Sequence, residues 1–149
     1  MKNHFYHHVP TEEDIKEVAD ELGLFRNGHH LLACDINNVK VMMRSAANFI
    51  LVKGIGNDSG RLSNAIEDTE IRCCGTAKPY TLFSTDKLLL HIEYNSEKPL
   101  LVDELAEVNT FVDMFEKEVL LITDMAIDNE NVKGETIIVR ILATNLAIK

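Results

Sequence analysis

"KGIGNDSGR", Lys53 to Arg61, follows directly on the apolar run "NFILV" of residues 48–52. Three glycines bracket a short polar stretch between a strand-like segment and a helix-like one. Many phosphate-binding loops share that outline, so these residues decide whether the chain reads as a nucleotide enzyme. A loop of the G-x-x-x-x-G-K-[ST] type carries its lysine after the glycines. Here Lys53 precedes them. The other reading is that Gly54, Gly56 and Gly60 supply tight-turn backbone angles ahead of a helix capped by Asp58 or Ser59. The stretch is therefore read as a turn. Ser59 and Ser63 have no His and Asp partners near them in sequence, so a hydrolytic triad is not indicated.

The flanking segments alternate in type. "TEEDIKEVADEL", residues 11–22, opens on Thr11 and acids, an N-cap followed by favourable charge at the positive helix end. Ile15, Val18, Ala19 and Leu22 recur at helical spacing. "RNGHH" is a turn and "HLLAC" a short strand; "DINNVKVMMRSA" is helical, with Val39, Met42, Met43 and Ala46 on one face. The four consecutive apolar residues of "NFILVKG" predict a strand buried on both faces. A helix follows over "GRLSNAIEDTEI", with Leu62, Ala65 and Ile66 as its stripe. "RCCGTAKPYTLFSTD" is irregular, with "YTLF" a possible short strand, and "KLLLHIEY" is a strand. Pro99 blocks backward extension of the amphipathic helix "LVDELAEVNTFVDMFE". "EVLLITDMAI" and "ETIIVRILATNL" are the last strands, and "DNENVKG" between them reads as a hairpin.

A chain of 149 residues fits one domain and at that length buries roughly two-thirds of its unfolded surface. Hydrophobic residues at 46% and charged ones at 26% are ordinary globular usage. The formal charge of −9 disfavours nucleic acid and anionic membrane surfaces. The apolar runs are too short for a bilayer span, and the N-terminus "MKNHFYHHVP" lacks the apolar core of a signal peptide. Cys34, Cys73 and Cys74 are an odd set with two adjacent, which suits reduced thiols in a cytoplasmic protein better than disulfides or structural zinc. His4, His7 and His8 read as a disordered tail, His29 and His30 as an exposed turn, and His91 as a satisfied strand histidine. "DNEN" at 128–131 lacks the glycine and glutamate of a calcium loop. No cofactor or metal is called for.

The tail, "KLLLHIEYNSEKPLLVDELAEVNTFVDMF" through "TIIVRILATNL", resembles the C-terminal domain of FtsZ, the bacterial tubulin relative. That domain ends in a strand of the form "RVTVIATG", matched here by "IIVRILATN". Upstream, FtsZ carries an "NxDFADV" loop, then a helix, a strand, a GxG turn and a helix starting near an arginine. Here "ACDINNV" is followed by "KVMMRSAANFILVKGIGNDSGRLSNAIED". The likeness covers about residues 33–146, and residues 14–32 fall where FtsZ has the end of its interdomain helix. In FtsZ the nucleotide sits on the other domain, in a "GGGTGTG"-type loop, and no such loop occurs here.

The resemblance implies an α+β fold: a two-layer α/β sandwich with a mixed four-stranded sheet in the order β-α-β-α-β-β, preceded by N-terminal helices. Residues 1–32 are the expected N-terminal tail and helix, and 33–149 the FtsZ C-terminal-like domain. In the family the "NxDFADV" loop enters the next subunit's nucleotide pocket, where its two acids polarise the attacking water. Position by position, the asparagine becomes Ala33, the first acid stays as Asp35, the phenylalanine becomes Ile36 and the second acid becomes Asn38. An amide cannot act as a base, so the resemblance implies an interaction loop at Asp35, Ile36, Asn37 and Asn38 without GTPase activity. Asp35 equally suits a cap for the next helix. The implied partner is FtsZ or an FtsZ-like protein, in cell division, whose filament the chain would cap or modulate. The alternative is a self-associating structural module that pairs through open sheet edges. The starting methionine and the capped first helix favour an intact short protein over a remnant of a longer gene.

Overall fold

The computed structural model describes residues 3–24 and 35–148; the predicted turn at "RNGHH" and strand at "HLLAC" lie outside them. In chain order come β1 (His4–Tyr6), α1 (Glu12–Glu21), α2 (Ile36–Met43), β2 (Phe49–Gly56) and α3 (Arg61–Ala77). Then follow β3 (Tyr80–Thr81), a 3₁₀ turn (Leu82–Ser84), β4 (Lys87–Tyr94), α4 (Val102–Val112), β5 (Leu120–Ile127), β6 (Ile137–Thr144) and β7 (Ala147–Ile148).

The main sheet is mixed, with order β1-β2-β6-β4-β5. Strand β6 is antiparallel to both β2 and β4, and β5 is parallel to β4. The expected β-α-β-α-β-β core is present, but the sheet has five strands, not four. The addition is β1, which pairs His4, Phe5 and Tyr6 with Leu51, Ile50 and Phe49. A tail was expected there because the histidines mask a period of two; Phe5 is buried among the core residues, which is what holds the segment down.

The expected hairpin between β5 and β6 does not form. β4 runs between them. Six of the eight β6 residues are buried apolar side chains on both faces, which suits the interior position that β6 takes between β2 and β4. The connecting segment passes over the end of β4 instead of folding at a tip. It is held there by Asn95 Nδ2 donating to the Val132 carbonyl at 2.9 Å and by Ser96 N donating to Asn129 Oδ1 at 2.9 Å.

Strand β2 is buried on both faces, as its continuous apolar run predicts. Ile50 and Val52 enter a cluster with Leu62, Ala65 and Ile66 of α3 and Val108 and Phe111 of α4. Phe49 and Leu51 point the other way, onto Ile15, Val18 and Leu22 of α1 and Val39, Met42 and Met43 of α2. Thr11 caps α1, and its hydroxyl accepts from Asp14 N at 3.1 Å while Asp14 Oδ2 accepts from Thr11 N at 2.9 Å.

The glycine stretch differs from its expected role in detail. Gly54 and Gly56 belong to β2, and among these glycines only Gly60 has a left-handed φ, +73°. Gly60 is itself the N-cap of α3; neither Asp58 nor Ser59 caps it through a side chain. The helix also runs on to Ala77, through the "RCCGTA" expected to be irregular, because Cys73 and Ala77 continue its buried face. What Gly54 and Gly56 provide is space. A Cβ on Gly54 would lie 2.3 Å from the Ala65 carbonyl oxygen, and one on Gly56 only 1.9 Å from that of Arg61.

Candidate functional site

Asp35 and its neighbours form the entry to α2. Asp35 is the N-cap, with extended backbone angles. Its Oδ1 accepts from Asn37 N at 2.9 Å and Asn38 N at 3.2 Å. Asn38 Oδ1 accepts from Asp35 N at 2.8 Å. The pair is a reciprocal capping box in which Asn38 serves where glutamate or glutamine is commoner. Ile36 packs on the Val39–Met42–Met43 cluster and ties this end of the helix to the sheet. Asp35 and Asn37 stay exposed.

The four expected interaction residues are thus contiguous, but they are the capped first turn of a helix, not an extended loop. Ala33 lies outside the described residues. The site offers one surface carboxylate, whose Oδ1 is already engaged by two amides, and a neighbouring carboxamide. That set can accept a hydrogen bond from a water or a cation from a partner, and it holds no second carboxylate to share a metal. Asp35→Ala is expected to lower stability by about 1 kcal/mol through loss of the cap; Asp35→Asn, which keeps a capping oxygen, is expected to leave the thermal midpoint nearly unchanged.

The glycine-rich stretch shows no phosphate cradle. Arg61, at its end, is turned inward and 7% exposed. Its Nε donates to Glu104 Oε2 at 2.7 Å, and its Nη2 to Glu104 Oε1 at 2.9 Å and the Pro99 carbonyl at 3.0 Å. The hydrogen bond from Arg61 holds the Glu104 carboxyl below the usual carboxylate range despite partial burial. An open cleft of about 490 Å³ lies beside this pair, lined by the acids Asp58, Glu97, Glu104 and Glu135 and the bases Arg61 and Lys98. Arg61 is engaged by Glu104 and Lys98 lies 3.9 Å from Glu135, so neither cation is left unpaired for a phosphate.

The remaining candidates divide. His8 Nε2 lies 3.0 Å from Asp14 Oδ2, and Tyr6 stacks on Phe49 with ring centroids 4.6 Å apart. Among the described residues no three His, Cys, Asp or Glu side chains are placed to hold a metal ion. Cys73 is buried in α3, where burial, with the adjacent Cys74, pushes its thiol up to about 12; Cys74 is exposed. His29 and His30 lie outside the described residues.

His91 is the feature that sequence reading undervalued. It is fully buried, with Nδ1 2.7 Å from Asp124 Oδ2 and Nε2 3.2 Å from Glu93 Oε1. Glu93 also pairs with Arg140 Nη1, and Arg140 Nε reaches Glu21 Oε1 at 3.4 Å. Burial alone would depress the imidazolium, but its hydrogen bonds to the Asp124 and Glu93 carboxylates, and their charges, outweigh it and raise the His91 pKa. The sequence signal was present: polar ionisable residues in the middle of three apolar strands, Asp124 in β5, Arg140 in β6 and the pair His91 and Glu93 in β4. With His91 and Asp124 at 0% exposure, this pair lies inside the sheet layer and braces β4 against β5.

No family model matches the chain, and no curated protein matches it. Solved structures do. A W319Y mutant of FtsZ from M. jannaschii superposes with a TM-score of 0.65 at 20% identity, over 92% of this chain and 42% of that one. The chain has the fold of part of an FtsZ subunit. CetZ from Methanosaeta thermophila matches at TM-score 0.55 and 16% identity, over 89% of this chain and 35% of its own. TubZ from Bacillus thuringiensis serovar israelensis, in a GTPγS-form protofilament, matches at TM-score 0.58 and 8% identity, over 91% and 36%. The chain therefore spans about two-fifths of the length of the FtsZ it matches. No helix of the described residues is long and apolar enough to cross a membrane.

Proposed function

We propose that this chain binds an FtsZ-type subunit through the exposed end of α2 at Asp35–Asn38, and caps or modulates the filament without hydrolysing GTP itself. What supports the reading is an FtsZ-like fold over 92% of the chain together with an exposed, capped Asp35, the residue that the sequence resemblance aligns with the family's first loop acid. The protofilament in which TubZ was solved supports it, since that neighbour of the fold forms filaments. The 149 residues contain no "GGGTGTG" loop, and Asn38 replaces the second acid, so neither half of a composite GTPase site is complete in this chain. A domain that engages the next subunit's nucleotide face and offers no such face in return would stop growth at that end.

Binding of the purified chain to FtsZ from the same cell, followed by biolayer interferometry, tests the contact. Asp35→Asn is expected to weaken binding about tenfold by removing a charge worth about 1.4 kcal/mol at a desolvated contact, while the fold is retained. Equal binding by wild type and Asp35→Asn would remove Asp35 from the interface.

A further inference from the structure

The two edges of the main sheet are built differently. One is β1, three residues long and followed four positions later by Pro10, which cannot donate to a ladder. The other is β5, eight residues long and, among the described residues, paired with β4 on one side only. Leu120 N donates to the Asp86 carbonyl and Asp128 N to that of Tyr94, each at 3.0 Å. These donors are eight positions apart and both face the β4 side. In a strand of period two, the even positions therefore direct their main-chain groups toward β4. Leu121, Thr123 and Met125 direct their N–H and C=O groups away from the sheet.

That outward row is also neutral. Between Leu120 and Ile127 the only charged residue is Asp124, which is fully buried against His91. In a chain of net charge −9, a strip without outward charge is where two like copies can approach with least repulsion. The strip carries none of the lysines, prolines or bulges by which sheet edges are blunted. It is self-complementary as well, since antiparallel pairing about a two-fold axis matches donors with acceptors, and an axis at Thr123 engages Leu121, Thr123 and Met125 of both copies.

We infer that β5 is a homodimer interface, two copies pairing antiparallel about an axis at Thr123. Thr123 then faces Thr123 of the second copy, and Leu121 faces Met125 in both directions. The two five-stranded sheets become one continuous sheet. Leu121 and Met125, which are half-buried against the core formed with α3 and α4, gain cover on their open side. The pairing uses β5 and not the entry to α2, so it stands independently of filament docking; a chain that does both presents two docking ends.

Sedimentation velocity of the full chain across a concentration series, without FtsZ, tests this. A dimer is expected whose population rises with concentration. Thr123→Pro removes an outward N–H that β4 does not use, and is expected to give a monomer with an unchanged circular dichroism spectrum. A second variant fixes the register: Thr123→Cys, with Cys34, Cys73 and Cys74 changed to Ser, is expected to form a disulfide dimer under mild oxidation. Leu121→Cys in the same background is expected to do so only when mixed with Met125→Cys. A wild type that is monomeric throughout the series, or a dimer untouched by Thr123→Pro, would overturn the inference.

Discussion

Gly56→Ala is expected to destabilise the protein by about 3 kcal/mol, at the upper end of what an inserted methyl costs in a packed interior. The added Cβ would stand 1.9 Å from the Arg61 carbonyl oxygen, 2.7 Å from Ala65 N and 2.9 Å from the Arg61 carbonyl carbon. All three are backbone atoms, so no side-chain rotation relieves the overlap. Nor can the first turn of α3 retreat freely, because Arg61 is held by both oxygens of Glu104 and by the Pro99 carbonyl. For a domain of this size the loss corresponds to a fall in thermal midpoint of roughly 6–12 °C. Gly75→Ala is the control. It lies in the same helix with nothing within 4 Å of its Cβ position, and a gain of up to about 1 kcal/mol is expected from helix propensity. Scanning calorimetry of the two variants reads both effects. A Gly56→Ala protein as stable as wild type would mean that strand and helix are not in contact as described, and would reopen a ligand-binding role for the glycines.

His91→Leu is expected to cost about 3–5 kcal/mol, the range for removing one partner of a buried ion pair. Asp124, at 0% exposure, would lose the imidazole 2.7 Å away. The effect carries a pH signature with a definite sign. Because Asp124 and Glu93 overcome the burial cost, the folded-state pKa of His91 lies above its ordinary 6.5. The proton is therefore held more tightly in the folded state. The stabilisation is fully present below the unfolded value of 6.5 and is lost as pH rises through the raised folded value. Urea titrations from mildly acidic to alkaline pH should show the gap between wild type and His91→Leu narrowing as pH rises. A gap that widens with pH would place a neutral imidazole in the core. His91→Leu combined with Asp124→Leu should recover much of the loss, since apolar replacement of a whole buried pair is commonly tolerated.

Those two sites mark where sequence reading succeeded and where it stopped. The continuous run "FILV" announced a strand buried on both faces, and Phe49 and Leu51 do oppose Ile50 and Val52. The "KLLLHIEY" strand occupies Lys87–Tyr94 as expected. Thr11 and Asp35 were legible as caps because capping is local chemistry. Strand order was not legible. Two strands separated by a short polar segment suggest a hairpin, and the position of β4 between them is a tertiary property. The turn role assigned to Gly54 and Gly56 failed for a similar reason, since a glycine needed for close approach looks the same in sequence as one needed for positive φ. The His91 network was half visible. Each charge sat alone in an apolar strand, but their convergence depends on a register, His91 beside Asp124 and Arg140, that pairing alone supplies.

We propose that these 149 residues engage an FtsZ-type subunit and bring no nucleotide-binding loop of their own to the contact. Pelleting of GTP-driven FtsZ polymers from the same cell, with the chain added at substoichiometric and then equimolar ratios, tests it directly. The account predicts that the chain is found with the polymer at low ratios, that polymer mass falls as the ratio rises, and that the chain alone retains no guanine nucleotide and hydrolyses none. Unchanged polymer mass with the chain left wholly in the supernatant, or purified chain that keeps GTP bound, would contradict it.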